Sequence, residues 1–317
     1  MRFLIRRLAL LVPVLFIVTA FSYLLLDLLP GDPTINILGP NATQEAVDRL
    51  REDLNLNDPL PVRYVRWIGD LAQGDLGRSY FNQQPVIEAL RQRFGVSLEL
   101  LIASQIIALA IAVPLAITAA RRPGGIVDRV STGGAFIFLG IPNFVLAVLL
   151  VFIFAVRFDL FPATGLPPFS EGPGEHFKSL VLPAVSLAMA ELAVYLRLLR
   201  TDMIATLQED FILNARAKGM PGWYILLRHA FRPSSFSLLT VIGLNFGRLI
   251  GGALIVEVIF NLPGMGSLAA QSIFSRDYLM VQGFVVVVAI GYVFMNFAVD
   301  MLYAILDPRI RHARSHA

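Results

Sequence analysis

The sequence predicts an all-α, polytopic membrane protein with six transmembrane helices. Of the 317 residues, 56% are hydrophobic and only 15% are charged, whereas a soluble domain carries roughly 25% charged residues. The mean hydropathy is correspondingly high, at +0.69. In addition, six segments reach the roughly 20 apolar residues that a helix needs to cross a bilayer. These segments are Leu8–Leu29, Leu98–Ala120, Gly133–Val156, Ser179–Leu199, Phe236–Phe260 and Val281–Leu306.

The first apolar segment is predicted to be a retained helix rather than a cleaved signal peptide. Arg2, Arg6 and Arg7 precede it, as basic residues precede a signal peptide, but the apolar run continues from Leu8 to Leu29. A signal peptide has an apolar region of about 7–15 residues, closed by a small-x-small cleavage site. The sequence shows neither feature.

The basic residues predict how the chain is oriented. Short loops on one side of the membrane hold most of the Lys and Arg, and this side faces the cytoplasm under the positive-inside rule. Both termini are therefore predicted to be cytoplasmic. The rule also accounts for the pI of 9.4 and the net charge of +3, so no nucleic-acid partner is expected. The basic residues of this side are Arg2, Arg6, Arg7, Arg121, Arg122, Arg129, Arg216, Lys218, Arg228, Arg232, Arg309, Arg311 and Arg314.

The segment Pro30–Ser97 is predicted to form a small helical periplasmic cap. Asn41 or Thr43 can cap a first helix, Pro61 can open a second, and a third follows near residue 86. A solvated linker is the alternative, but apolar stripes at helical spacing favour packed helices. The stripes are Ala46, Leu50 and Leu54; Val62, Val65, Ile68 and Leu71; and Val86, Ile87, Leu90 and Phe94.

The cytoplasmic loop Thr201–Ser235 is predicted to contain two short helices joined at Gly219. Residues 209–218 place acids first and bases last, which suits the helix dipole, and Gly219 then ends the helix. Pro221–Phe231 is predicted as the second helix, closed by Pro233. The chain thus divides into an N-terminal helix (1–29), the cap (30–97), a five-helix core (98–306) with a cytoplasmic loop (201–235), and a tail (307–317).

Two stretches of this loop resemble the loop signature of binding-protein-dependent ABC importer permeases. They are Asn-Ala-Arg-Ala-Lys-Gly at 214–219 and Leu-Arg-His-Ala-Phe-Arg-Pro at 227–233. The general signature has Glu-Ala where Leu213 and Asn214 stand, and the version here is similar to that of the dipeptide/oligopeptide permease subfamily. Other motifs of that subfamily cover nearly the whole chain. They are Arg6–Leu8, Leu29–Pro33, Gly74–Ser79, Leu160–Gly165, Gly251–Glu257, Asn261–Gly266 and Leu306–Arg309.

The resemblance implies the type I ABC importer permease fold and a pore shared with a second homologous permease subunit. It implies two ABC ATPase subunits and an extracytoplasmic substrate-binding protein as partners, in the cytoplasmic (inner) membrane of a bacterium or an archaeon. The chain would bind no cofactor or metal and would not be an enzyme, since ATP and Mg belong to the ATPase subunits. Dipeptides or oligopeptides are the implied cargo, with nickel, glutathione or another small solute as alternatives.

The resemblance also identifies the loop as the coupling helix, which docks on the ATPase. Ala215 and Ala217 are small enough for close backbone approach, while the basic residues offer charge to the partner. The residues expected to carry ATPase coupling are Asn214, Ala215, Arg216, Ala217, Lys218, Gly219 and Arg228.

Polar residues inside the apolar segments form the second candidate site. Such residues usually face the protein interior or a water-filled cavity. The candidates for a translocation path are Glu191, Asn245, Arg248 and Glu257. The structural alternative is that Glu191 and Arg248 pair with each other or with the partner permease, and that Glu257 and Asp300 are satisfied near helix ends. The membrane interface and the inner end of the fourth span are expected to be marked by Tyr195, Arg197 and Arg200.

Other function classes fit the sequence less well. A phosphate-binding loop would need a second glycine where Phe177 stands in Gly172–Ser179. A zinc protease would need His-Glu-x-x-His, and the four histidines provide no such pair. The absence of cysteine excludes thiolate metal sites and thiol nucleophiles. A stand-alone secondary transporter is the serious alternative, but it would typically show interrupted helices in two related halves.

Overall fold

The computed structural model describes residues 13–24, 33–39 and 41–306, apart from the side chains of Pro33, Asn36, Phe246, Arg248, Asp300 and residues 302–306. Every regular element in these residues is a helix. Two π-helical turns, Val151–Arg157 and Ile225–Ala230, follow α7 and α10. The helices are α1 (Pro13–Leu24), α2 (Pro33–Leu38), α3 (Gln44–Asp53), α4 (Leu60–Ala72), α5 (Val86–Arg121), α6 (Ile126–Gly140), α7 (Asn143–Leu150), α8 (Pro173–Thr206), α9 (Asp210–Ala217), α10 (Gly222–Tyr224), α11 (Phe231–Ile259), α12 (Met265–Ser275) and α13 (Tyr278–Leu306).

Three of these helices are long and apolar enough to cross a membrane: α5, α8 and most of α13. Two bent pairs meet the same criterion as single spans, one bent by 103° and the other by 56°. They are Ile126–Gly140 with Asn143–Arg157, and Gly222–Asn245 with Leu249–Ile259. The all-α, polytopic prediction is confirmed, and these five correspond to the second to sixth predicted spans. Of the predicted first span, only α1 is described. The N-terminal arginines and the tail 307–317 also lie outside the described residues.

The third predicted span, Gly133–Val156, is not one continuous helix, because the chain breaks at Pro142. Ile141 has an extended backbone (φ −95°, ψ 120°), the conformation that a following proline favours. Pro142 has no N–H to continue a helical ladder, and it caps the start of α7 instead. The two halves therefore meet at 103°.

The cap segment contains α3 and α4 where the sequence predicts them. The Thr43 hydroxyl accepts a hydrogen bond from the Ala46 backbone N–H at 3.3 Å, and Pro61 lies in the first turn of α4. The third predicted helix is not a separate element, since Val86–Phe94 forms the first turns of α5. No proline or cap separates this stretch from the apolar span that follows it.

The described parts of Met1–Ser97 form one compact unit with Pro263–Val293. In this unit, a chain of hydrogen bonds joins α4 to α1 and α13. Tyr64 Oη donates to the Phe16 carbonyl at 3.1 Å and lies 3.0 Å from Thr19 Oγ1. Gln282 Nε2 donates to the Thr19 carbonyl at 2.9 Å. The cap helix α4 is therefore fixed to membrane helices of its own unit rather than tethered loosely.

Asp277 fastens the loop between α4 and α5 within the same unit. Ser79 Oγ donates to Asp277 Oδ2 at 2.5 Å, and the Tyr80 backbone N–H donates to Oδ1 at 3.3 Å. Burial raises the pKa of the Asp277 carboxyl, and these donated hydrogen bonds oppose the rise.

Leu98–Leu262 and the described part of Phe294–Ala317 form the second compact unit, with α8 at its centre. Helices α6, α7 and α11 all pack against α8. In its most apolar window 72% of α8 is buried, compared with 33% of α5 and 28% of α13, so α8 is the enclosed span. Buried alanines four residues apart on α5 let backbones approach closely, as small residues do in membrane bundles. These alanines are Ala108, Ala112, Ala116 and Ala120.

His176 fastens the N-terminal end of α8. Its Nδ1 lies 2.7 Å from the Pro167 carbonyl oxygen, and its Nε2 lies 2.8 Å from Glu99 Oε1. A carbonyl oxygen can only accept a hydrogen bond, so Nδ1 carries a proton. The second hydrogen bond then requires one more proton, which His176 and Glu99 share. These two contacts join α8 to Glu99 of α5 and to Pro167 in the loop that precedes α8.

Close packing at Gly243 gives a test of this unit. A Cβ atom at Gly243 would lie 2.6 Å from Val299 Cγ2. We expect Gly243→Ala to lower stability by about 1–3 kcal/mol, because the added methyl overpacks the contact between α11 and α13. Thermal unfolding in lipid nanodiscs measures the change.

Gly291→Ala is the matched control, because a Cβ at Gly291 meets no atom within 4 Å. It should leave stability unchanged or raise it by up to about 1 kcal/mol, because alanine suits a helix interior better than glycine does. The double variant Gly243→Ala/Val299→Ala should recover much of the loss, and an unrelieved loss in the double variant would contradict the packing described.

Candidate coupling site

The first arm of the candidate site is α9. It begins after Glu209, whose extended backbone (φ −71°, ψ 149°) caps the helix, and Asp210 lies in the first turn. Arg216 lies in the last turn. Negative charge near the N-terminus and positive charge near the C-terminus both stabilise a helix. The predicted first helix of the loop is confirmed.

The arm ends in a Schellman motif centred on Gly219. Gly219 has φ +73°, in the left-handed region that glycine adopts without a steric cost. Its N–H donates to the Arg216 carbonyl at 2.9 Å, and the Met220 N–H donates to the Ala215 carbonyl at 3.2 Å. The predicted glycine bend is therefore confirmed, and its cause is the backbone conformation.

The second arm differs from the prediction because Pro233 does not close it. The arm runs through α10 and the π-helical turn Ile225–Ala230 directly into α11. A proline inside an α-helix clashes with the carbonyl four residues earlier, which here is that of His229. That carbonyl belongs to the wider π-helical turn, which accommodates the proline. The loop is consequently continuous with a membrane helix.

The two arms pack on each other through a small apolar core. Ile212 and Ala215 of α9 meet Ile225 of the second arm, with Leu207 and Met220 packed alongside. Ala215 is therefore buried inside the loop, where its small side chain lets the two arms approach closely. Ile212 lies about one helical turn before Ala215, and both side chains face the second arm.

The remaining predicted coupling residues lie on the outer surface of the loop. Asn214, Arg216, Ala217, Lys218, Gly219 and Arg228 are all exposed. Four large apolar side chains that sequence reasoning missed are exposed beside them. They are Phe211, Leu213, Trp223 and Leu227. The sequence could have shown this exposure. Residues one or two positions from a buried residue point to other faces of a helix, and these four stand in that relation to Ile212 and Ile225. The loop thus presents a mixed apolar and basic surface.

The loop is attached to both membrane helices that flank it. Thr206, at the end of α8, and Ser234, at the start of α11, have hydroxyl oxygens 3.1 Å apart. Further along the same two helices, Asn245 Nδ2 donates to Glu191 Oε2 at 2.9 Å. The helices α8 and α11 therefore form a hairpin with the loop at its closed end.

An ion pair with a buried carboxylate lies near the same end of α8. Arg200 Nη2 donates to Asp128 Oδ2 at 2.7 Å, and Arg200 Nε contacts Oδ1. Asp128 also accepts from the Gly124 N–H at 2.7 Å and from Thr132 Oγ1 at 3.3 Å. Arg200 lies near the C-terminal end of α8, and it also joins α8 to α6, which the sequence analysis did not predict. The sequence feature that could have indicated this pair is Asp128, an acidic residue among the basic residues of that side.

The candidate translocation residues are placed unequally. The side chains of Glu191 and Glu257 are buried within this chain, at 2% and 1% exposure. Asn245 is half-buried, and the side chains of Arg248 and Asp300 are outside the described set. Tyr195 is also buried, and its hydroxyl donates to Gln105 Oε1 at 3.0 Å. This burial gives Tyr195 a core position rather than one at the helix end.

The described residues contain no group of three His, Asp or Glu side chains placed to hold a metal ion. The hydrogen bonds and ion pairs above join helices to one another. The arrangement can transmit displacement between the loop and the membrane helices.

Comparison with known proteins covers nearly the whole length of the chain. The family described as binding-protein-dependent transport system inner membrane component matches residues 112–312. Its N-terminal counterpart, a binding-protein-dependent transport system membrane component, matches residues 1–101.

Several characterised or named relatives are similar over nearly their full length. The probable peptide ABC transporter permease protein y4tP of Sinorhizobium fredii is 37% identical over 98% of this chain and 99% of its own. The oligopeptide transport system permease protein AppB of Bacillus subtilis is 35% identical with the same coverage. The glutathione transport system permease protein GsiC of Escherichia coli is 34% identical, again over 98% and 99%.

A solved structure of the MetNI methionine ABC transporter in an inward-facing conformation has a similar fold. The TM-score is 0.53 at 16% identity, covering 69% of this chain and 96% of that chain. At this identity the likeness concerns the fold alone.

The Asp128–Arg200 pair gives a test of the support around the loop. Removing Arg200 leaves the Asp128 carboxylate buried without its charge partner, which typically costs about 3–5 kcal/mol. Removing Asp128 leaves an Arg200 side chain that is 24% exposed and can reach water. We therefore expect Arg200→Ala to destabilise the chain by about this amount, Asp128→Ala to cost less, and the double variant to cost clearly less than the sum of the two. Thermal unfolding of the wild type, the two single variants and the double variant in nanodiscs gives the double-mutant cycle.

Arg197→Ala is the matched control, since Arg197 is exposed on the same helix. It should behave like the wild-type chain. Strictly additive losses at Asp128 and Arg200 would show that the two side chains act independently and that the ion pair does not hold α6 to α8.

Proposed function

This chain belongs to the family of binding-protein-dependent transport system inner membrane components, and we propose that it is the pore-forming permease subunit of an ATP-driven peptide importer. Peptide cargo is supported by the relatives named as peptide and oligopeptide permeases. The relative named for glutathione keeps that solute as the alternative cargo.

The observation that carries this function is the two-armed loop at the closed end of the α8–α11 hairpin. Its arms are held together by their own apolar core, and its second arm continues into α11 without a break. Its outer surface carries exposed apolar and basic side chains, a combination suited to docking on another protein. A displacement of such a loop by a docked protein is transmitted to both α8 and α11.

We propose the following assembly around this chain. A second homologous permease subunit completes the pore, two ABC ATPase subunits dock on the loops, and an extracytoplasmic substrate-binding protein delivers cargo. ATP and Mg bind the ATPase subunits, while this chain binds no cofactor and catalyses no reaction. The complex lies in the cytoplasmic (inner) membrane of a bacterium or an archaeon, with both termini of this chain in the cytoplasm, as the distribution of Lys and Arg supports.

In this mechanism the ATPase subunits move the loop and the hairpin follows as a unit. The contacts Thr206–Ser234 and Glu191–Asn245 hold the two helices of the hairpin together. Rigid-body movement of such a pair opens one side of a central cavity and closes the other. Cargo contact by Asn245 and Arg248 belongs to this proposal, whereas the burial of Glu191 and Glu257 supports a positioning role for those two residues.

Gly219→Glu tests the docking surface. A Cβ at Gly219 meets no atom of this chain within 4 Å, so the new carboxylate makes no clash inside the loop and points toward a partner, although the left-handed backbone adds some strain. We expect ATP-dependent peptide uptake to fall by at least about tenfold, the effect of losing a docking hot spot. Membrane insertion should stay normal, and uptake assays with immunoblots of membrane fractions measure both.

Gly219→Ala is the control for backbone strain, because its Cβ meets the same left-handed conformation as glutamate without the charge or the long side chain. It should retain most uptake. Normal uptake and normal ATPase co-purification by Gly219→Glu would refute the assignment of this loop to coupling. Transport by the purified chain alone in liposomes, without an ATPase, would instead favour a stand-alone secondary transporter.

A second test concerns the cap as the docking site for the binding protein. Deleting Thr43–Gln73 would also remove Tyr64 and Trp67 from a packed core, so a surface substitution is sharper. Val65 is 68% exposed on α4. We expect Val65→Asp to weaken substrate-stimulated ATP hydrolysis about tenfold while basal hydrolysis survives.

Val65→Thr, which keeps the shape of the side chain, should behave like the wild-type complex. Unchanged stimulation in Val65→Asp would mean that the binding protein docks away from this face of α4.

A further inference from the structure

A cleft of about 330 Å³ opens between the end of α5 and the coupling loop. Arg121, the last residue of α5, and Arg216, in the last turn of α9, both line it. The two arginines are 95 positions apart in sequence, so the fold alone brings them to one cleft. Most of the remaining wall is apolar and is formed by Leu207, Met220, Ile225 and Leu226.

The two guanidinium groups lack a counter-charge in this cleft. No carboxylate is among the residues that line it. Within the described part of the chain, neither Arg121 nor Arg216 takes part in a salt bridge, whereas the nearby Arg200 is fully engaged by Asp128. Two like charges that line one cleft repel each other. An anion between them would remove this repulsion and form charge-assisted hydrogen bonds.

We propose that this cleft binds the phosphate group of an anionic phospholipid. Guanidinium groups bind phosphate through paired N–H donors, which suits two arginines facing one cleft. Arg121 terminates a helix whose apolar window has a mean hydropathy of 2.5, so it stands where a membrane helix leaves the hydrocarbon. Lipid phosphates lie at this depth and attract basic residues there. The apolar wall accommodates the glycerol and the first acyl carbons.

The positive-inside rule already places arginines near lipid headgroups, but it does not require them to share a cleft. The shared cleft is what makes a defined site. A bound phosphate would bridge the end of α5 to the coupling loop. The further consequence, that anionic lipid stabilises the docking-competent loop, rests on the proposed coupling function, whereas the binding itself does not.

The test compares lipid retention by the purified full chain after reconstitution with phosphatidylcholine and phosphatidylglycerol. Native mass spectrometry counts the phosphatidylglycerol molecules retained as detergent is exchanged. We expect Arg121→Gln and Arg216→Gln each to reduce retention about tenfold, the effect of losing one charge-assisted hydrogen bond. Arg122→Gln and Lys218→Gln are matched controls, since both residues are exposed neighbours that do not line the cleft. They should retain lipid like the wild-type chain.

Each other outcome overturns the lipid assignment in its own way. Equal retention by all four variants would show that no defined site exists. Binding of inorganic phosphate by calorimetry, with loss only in the cleft variants and no selective lipid retention, would assign the cleft to a soluble phosphate compound. Loss of ATPase co-purification in Arg121→Gln without any lipid dependence would assign the cleft to an acidic side chain of the ATPase.

A separate readout keeps this proposal distinct from the coupling function. If Arg121→Gln, which lies outside the coupling residues, loses phosphatidylglycerol but supports normal uptake, the lipid site stands and its effect on coupling is excluded. If Gly219→Glu leaves uptake intact while the cleft variants lose lipid, the coupling function fails and the lipid site remains.

Discussion

The burial of α8 is the constraint on which the second unit depends. Helices α6, α7 and α11 all pack on it, so a charge that is buried along it must be satisfied inside the chain. Glu191 accepts a hydrogen bond from Asn245, and Arg200 is paired with Asp128. A buried charge without a partner costs several kcal/mol, so these contacts stabilise the polar groups of α8 and also fix the positions of the neighbouring helices. The more exposed α5 and α13 are left to face lipid or other subunits.

Features set by the local backbone could be predicted from the sequence. Thr43 and Pro61 start their helices where expected, and Gly219 bends the loop where expected. Each acts through hydrogen bonds or dihedral angles within a few residues, so nothing distant can override it easily. The membrane spans were predictable for a related reason, since hydropathy over about 20 residues decides whether a helix crosses a bilayer.

Features set by tertiary contacts could not be predicted in the same way. Ala215 is small, as a residue at a docking surface often is, yet it is buried because Ile225, ten positions away in the other arm, packs against it. The Asp128–Arg200 pair joins residues 72 positions apart. Pro142 and Pro233 show the limit most clearly, because one breaks a span and the other is absorbed by a wider turn. Which outcome a proline produces depends on the conformation its neighbours can adopt.

The length of α8 has a geometric consequence for the fastening at its N-terminal end. The helix has 34 residues and is therefore about 51 Å long, at about 1.5 Å per residue. A tilt of about 5° around its loop end carries the opposite end sideways by about 4 Å. A hydrogen bond cannot stretch that far. When α8 tilts, Glu99 and Pro167 must therefore move together with His176, or the two hydrogen bonds of the imidazole must break.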